Sequence, residues 1–85
     1  MQLKNYYNIL GIHYTATDNE IKKAFRQNAL YWHPDKNKSL NANEKFIEIY
    51  EAYNILIDPK KRDVYNDLLN QQLNNSNNSI RQKGR

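Results

Sequence analysis

His33, Pro34 and Asp35 stand in a row, an imidazole and a carboxylate on either side of a proline. Three kinds of chemistry use such residue types. An imidazole beside a carboxylate can move a proton. The same pair can ligate a metal. Exposed, the pair can simply bind, because a free carboxylate takes paired hydrogen bonds from an arginine. Proton chemistry also needs a nucleophile and a pocket, and neither is evident in an 85-residue chain without cysteine. A metal needs more ligands than His33 and the distant His13, the only two histidines, so no metal and no cofactor are expected. That leaves binding, with no catalytic residue in the chain. Pro34 suits this role, since its fixed backbone angle lets the flanking side chains meet a partner with less entropy to lose. Taken alone, the string also fits an ordinary loop, because proline stops helices and His and Asp are common loop residues.

What precedes the string gives it weight. Lys22, Lys23 and Arg26 form a basic face, with Lys22 and Arg26 four residues apart and so on one side of a helix. Lys36 adds a cation just after the string. Glu44, Glu48 and Glu51 form an acidic stripe further on. The expected domain is dipolar. Its patch would steer an acidic partner over about 10 Å at about 0.1 M salt and dock it weakly and reversibly.

Four helices must position these groups. Asn5 is a good N-cap for a short helix that Gly11 closes. Thr17-Asp18-Asn19-Glu20 is a capping box, opening a second helix from about Asp18 to Trp32 with Ile21, Ala24, Phe25, Asn28, Ala29 and Trp32 on one stripe. It must end before Pro34. A short polar loop implies an antiparallel third helix, roughly Asn41 to Ile57, with Phe46, Ile49, Tyr50, Tyr53, Leu56 and Ile57 facing the core. Ile47 and Ile55 fall off that stripe and either cover the fourth helix or face a partner. Asp58-Pro59 starts a short fourth helix, about Lys60 to Leu69, which offers Val64, Tyr65 and Leu68 for burial. From residue 70 the chain is rich in Gln, Asn and Ser and is expected to be a frayed end and a disordered tail over 70–85, leaving one domain over 1–69.

Composition narrows the class. One small all-α domain is expected, burying about 60% of its unfolded surface. Seven tyrosines dominate its aromatics and can fill a core while keeping their hydroxyls near water. The net charge of +4 invites an acidic partner. No apolar run approaches the roughly 20 residues of a membrane span. The N-terminus lacks an apolar signal region, so a soluble, cytoplasmic monomer is expected, with no membrane partner.

In order along the chain come Tyr6-Tyr7-Asn8-Ile9-Leu10-Gly11, Glu20-Ile21-Lys22-Lys23-Ala24-Phe25-Arg26, His33-Pro34-Asp35-Lys36-Asn37 and Phe46-Ile47-Glu48-Ile49-Tyr50-Glu51-Ala52-Tyr53. With Lys61-Arg62-Asp63-Val64-Tyr65 they make the chain resemble the J-domain family of DnaJ-like co-chaperones, over roughly Asn5 to Leu69. The resemblance implies the J-domain fold, a long antiparallel hairpin of the second and third helices with short first and fourth helices. It also implies a partner, a DnaK-type chaperone of the heat shock protein 70 class. In that family the second helix and the loop after it dock on the ATPase and its interdomain linker. Carried over, His33, Pro34 and Asp35 are the trigger of ATP hydrolysis, and Lys22, Lys23, Arg26 and Lys36 are docking charges. Client proteins are reached only indirectly, and their choice is expected to reside elsewhere, for instance in a longer parent protein.

The sequence departs from the family at several positions. Asn28 replaces the usual leucine on the apolar stripe. It either hydrogen-bonds, for example to a tyrosine hydroxyl, or sits at the stripe's edge. Gln27 and Tyr31 stand where many relatives are basic, which thins the positive patch. Asn66 takes the place of a usual aspartate. Two other functions compete. A nucleic-acid-binding helical domain would use the basic second helix, but its charges lie mid-helix, whereas helix-turn-helix proteins contact bases from the N-terminal part. No nucleic-acid partner is therefore expected. An inactive scaffold would be favoured by an altered tripeptide, and this one is intact.

Overall fold

The computed structural model describes residues 3–78, with side chains over 3–72. Four helices follow in order: α1 (Tyr6–Leu10), α2 (Asp18–Trp32), α3 (Ala42–Leu56) and α4 (Pro59–Asn78). There is no strand among the described residues. The all-α fold expected from the sequence is the one observed.

Local signals set the helix ends. The Asn5 side chain accepts from the Asn8 N–H, and Gly11 turns left-handed at φ 73° to close α1. The Thr17 hydroxyl accepts from the Glu20 N–H at 3.1 Å while the Glu20 carboxylate accepts from the Thr17 N–H at 2.9 Å, completing the capping box. Asp58 Oδ1 accepts from the Lys60 and Lys61 N–H groups and so caps α4.

The core is a layer between α1, α2, α3 and the first half of α4. Tyr7, Leu10, Ala16, Ile21, Ala24, Ile49, Ala52, Leu56 and Tyr65 are buried together. α2 and α3 run antiparallel: Phe25 stacks on Tyr53 at 4.2 Å between ring centroids, and at the other end His33 meets Phe46 edge-on at 5.4 Å. These pairs bury apolar ring area and add the edge and offset preferences of aromatic contacts.

Three expectations about burial change. Tyr50, placed on the core face by its spacing, is exposed, and Ala52 takes the inner position. The small alanine lets neighbouring helices approach, while the tyrosine ring lies outward beside Phe25 at 6.0 Å. On α4, Tyr65 is buried but Val64 and Leu68 are exposed. The inward row is buried Tyr65 with partly buried Leu69, one helical turn apart, so the row of 64 and 68 is rotated outward. Ile55 packs against the core and Ile47 is exposed, which settles two positions that the spacing left open.

The fourth helix is not short. It continues to Asn78, well past the expected end near Leu69. No glycine or proline interrupts the segment, and the Gln72 side chain accepts from the Leu3 N–H at 2.8 Å, tying the extension to the chain's start. Of the tail expected over 70–85, residues 79–85 lie outside the described residues.

A polar seam fastens α4 to the rest. Arg62 donates from Nη2 to the carbonyls of Tyr14 and Ala16 and from Nε to the Tyr7 hydroxyl. That hydroxyl donates in turn to Asn66 Oδ1 at 2.6 Å. The Tyr65 hydroxyl donates to the Lys4 carbonyl at 2.6 Å and accepts from the Tyr6 N–H at 3.0 Å. Asn66, with an aspartate's shape but no charge, thus serves as an acceptor for a tyrosine.

Candidate functional site

The helix α2 stops where the sequence says it must. His33 adopts φ −62°, ψ 127°, the extended geometry that a following proline imposes. The chain then folds into a tight turn. The His33 carbonyl accepts from the N–H groups of Lys36 at 2.9 Å and Asn37 at 2.8 Å. The Asp35 N–H donates to His33 Nδ1 at 3.1 Å, so the neutral imidazole carries its proton on Nε2. The Phe46 ring stands edge-on to the imidazole, which fixes its plane.

These contacts orient His33 without burying it. Its side chain is half-exposed, and that of Asp35 is 89% exposed. Asp35 Oδ2 lies 3.9 Å from His33 Nδ1, too far for a hydrogen bond. The carboxylate is therefore an exposed acceptor at the tip of a hydrogen-bonded turn. An arginine of a partner could engage it with both oxygens.

A second clamp holds the loop. Asn37 donates from Nδ2 to the Tyr31 carbonyl at 2.9 Å and accepts at Oδ1 from the Ser39 N–H at 3.0 Å. Lys38 reaches the Pro34 carbonyl at 3.5 Å. The sequence placed Asn37 inside the motif but gave it no role. Its signal was an amide with a donor and an acceptor just beyond a helix end, where carbonyls lack intrahelical partners.

All four docking charges named from the sequence, Lys22, Lys23, Arg26 and Lys36, are exposed. None forms a salt bridge among the described residues. Lys22, Lys23 and Arg26 lie on the outer side of α2, whose inner side carries Ile21 and Ala24 into the core. Gln27 and Tyr31 are also exposed and interrupt the basic surface. Leu40, which the sequence did not single out, stands fully in solvent beyond the turn.

Asn28 finds partners, and they are backbone carbonyls instead of a tyrosine hydroxyl. Its Nδ2 donates to Ala24 at 2.8 Å and across to Leu10, the last residue of α1, at 3.1 Å. The half-buried amide thereby satisfies an orphan carbonyl at the end of α1.

The arrangement sets an exposed carboxylate and an oriented imidazole beside a basic helix face. Among the described residues no group of three or more His, Cys, Asp or Glu side chains could hold a metal ion. No described helix is long and apolar enough to cross a membrane.

Comparison with known proteins matches the same stretch. A family model described as the DnaJ domain covers residues 5–66. The chain is 63% identical over 62 residues to DnaJ homolog subfamily B member 5 of Mus musculus, covering 73% of this chain and 18% of that protein. It is 62% identical over 60 residues to the mitochondrial protein import protein MAS5 of Saccharomyces cerevisiae, covering 71% of this chain and 15% of that protein. Among solved structures, the J-Trx1 fragment of ERdj5 superposes with a TM-score of 0.72 at 40% identity, over 79% of this chain and 33% of that one. The chain thus spans less than a fifth of the length of these two curated relatives.

Proposed function

The chain belongs to the DnaJ domain family, and from that premise we propose that it docks on a DnaK-type chaperone and stimulates its ATP hydrolysis through His33, Pro34 and Asp35. The family gives it a co-chaperone role. The docking and the trigger are our reading of this chain's residues. The observation that carries it is the turn itself: an oriented imidazole and a highly exposed carboxylate held beside a basic helix face.

The residues divide the work. Lys22, Lys23, Arg26 and Lys36 attract an acidic surface of the ATPase and set the docking angle. Asp35 then accepts from an arginine of the chaperone, and Pro34 and His33 keep that acceptor in place. The domain carries out no covalent step of its own. It acts by binding the hydrolysis-competent state of the ATPase better than the others. The partner is a heat shock protein 70 class chaperone, met by a monomer of this domain, and client proteins are reached only through it. The expected compartment remains the cytoplasm.

The test is single-turnover ATP hydrolysis by a DnaK-type chaperone with and without this domain. Stimulation is expected, and His33→Gln and Asp35→Asn should each abolish it while circular dichroism stays native. Loss of one charge-assisted hydrogen bond of about 1.5–3 kcal/mol already means a tenfold or greater loss of effect. If the native domain leaves its cognate chaperone's hydrolysis unchanged, the proposal fails.

A further inference from the structure

The outward rotation of Val64 and Leu68 opens an apolar groove of about 440 Å³ away from the His33 loop. Its apolar lining is Leu3, Tyr6, Ile55, Val64, Tyr65 and Leu68. α4 contributes the segment from Lys60 to Leu68, roughly 12 Å at 1.5 Å per residue.

The groove makes almost no demand for hydrogen bonds. The Tyr6 hydroxyl is committed to Glu51 and the Tyr65 hydroxyl to the Lys4 carbonyl. Both rings therefore offer carbon to an occupant. At the α4 N-terminal end stand Lys60 and Lys61, which also line the groove. Neither ammonium has a carboxylate partner among the described residues. Asp63 and Asp67 lie on the same helix but do not line the groove. Asp58 caps the first turn of α4, so the positive charge at this end comes from the two ammonium groups. The site thus joins an apolar trough to a cationic end.

We propose that this groove docks a short amphipathic helical segment of another protein, with two or three apolar side chains along one face and carboxylates at one end. Apolar anchors at i, i+4 and i+7 would lie along the Val64–Leu68 row, and the carboxylates would meet Lys60 and Lys61. In a twofold pairing through this groove the partner surface would be the same lining, which carries no carboxylate for Lys60 and Lys61. Ile55 lies nine residues beyond Phe46, the neighbour of His33, roughly 14 Å along the helix at 1.5 Å per residue. The two sites can therefore be occupied together, and the inference does not depend on the proposed function.

The probe is a fluorescein-labelled helical peptide with leucines at i, i+4 and i+7 and a run of glutamates at one end, titrated with the 85-residue chain by fluorescence anisotropy. Saturable binding is expected, weakening as salt rises. Leu68→Glu should weaken it at least about tenfold, the loss of one buried leucine contact. Lys60→Glu with Lys61→Glu should weaken it too, and a peptide ending in lysines should restore binding to that double variant. Both variants change exposed side chains, so circular dichroism should stay native and ATPase stimulation should not move. Absence of saturable binding overturns the proposal. So does a groove that Leu68→Glu shows, by sedimentation, to mediate self-association, or one that takes up anionic vesicles but not the peptide.

Discussion

Asn37 donates to the carbonyl of Tyr31 across 2.9 Å, joining the loop that carries His33, Pro34 and Asp35 to the last turn of α2. Tyr31 is the penultimate residue of that helix, so its carbonyl has no partner within it. One amide thus satisfies the helix end and, through the Ser39 N–H, shapes the chain leading into α3.

Asn37→Ala should free this loop while leaving the hairpin folded. The expected cost in stability is about 1 kcal/mol, since the groups released are exposed to water. The larger effect should fall on ATPase stimulation. A looser turn raises the entropy lost on docking, so the domain concentration for half-maximal stimulation should rise several-fold. Asn37→Asp keeps the acceptor for Ser39 and should fall between. An unchanged titration curve for Asn37→Ala would remove the positioning role.

Gln27→Arg and Tyr31→Lys restore positive charge where the basic surface is interrupted. Both side chains are exposed, so stability should shift by less than about 0.5 kcal/mol. The Tyr31 carbonyl that Asn37 uses belongs to the backbone and is retained. Each substitution should strengthen docking on an acidic chaperone surface by about 0.2–1 kcal/mol, more at low salt than at high. Titration of single-turnover hydrolysis at two salt concentrations measures this, and equal affinities would show that the patch needs no further charge.

Asn28→Ala tests the amide that ties α2 to the end of α1. Its removal leaves the Leu10 carbonyl without this donor and should cost about 1–2 kcal/mol. Urea unfolding should show a lower midpoint with an unchanged slope. A midpoint equal to the native one would show that water replaces the amide without loss.

Tyr6, Glu51 and Lys4 make stability depend on pH. The Tyr6 hydroxyl donates to Glu51 at 2.5 Å, and Lys4 lies 3.4 Å from the same carboxylate. Burial first, and then the hydrogen bond to Glu51, push Tyr6 up to about 12. That hydrogen bond, with help from Lys4, holds the Glu51 carboxyl below its ordinary value. The raised tyrosine contributes stability in full below its ordinary 10.0 and loses it as pH climbs toward about 12. The lowered carboxylate contributes above its ordinary 4.5 and loses that contribution as pH falls. Because Glu51 is 41% exposed, solvent screening holds its share to about 1 kcal/mol or less. In Tyr6→Phe the acid limb of stability, read from urea midpoints, should be shallower than in the native chain. An equally steep limb would show that the hydrogen bond does not bias the carboxylate.

Much of this protein was written locally. Thr17 with Glu20, Asn5 with Gly11, and Asp58 ahead of Pro59 set helix ends through contacts a few residues apart, so spacing alone revealed them. The His33-Pro34 junction ended α2 for the same reason. What lay beyond the sequence depended on which face of a helix met which neighbour. A 3.6-residue period leaves adjacent rows nearly equivalent, and only the rotation of α3 and α4 on the core chose Ala52 over Tyr50 and Tyr65 over Val64. The partners of polar side chains were hidden similarly. Asn28 reaches Leu10, Arg62 reaches Tyr14 and Ala16, and Gln72 reaches Leu3 across chain separations that no local pattern encodes. Local chemistry therefore determined where α1, α2 and α4 begin, where α1 and α2 end, and which residues are candidates for binding. Tertiary contact decided how the loop is clamped, how far α4 runs, and which apolar side chains remain for a partner.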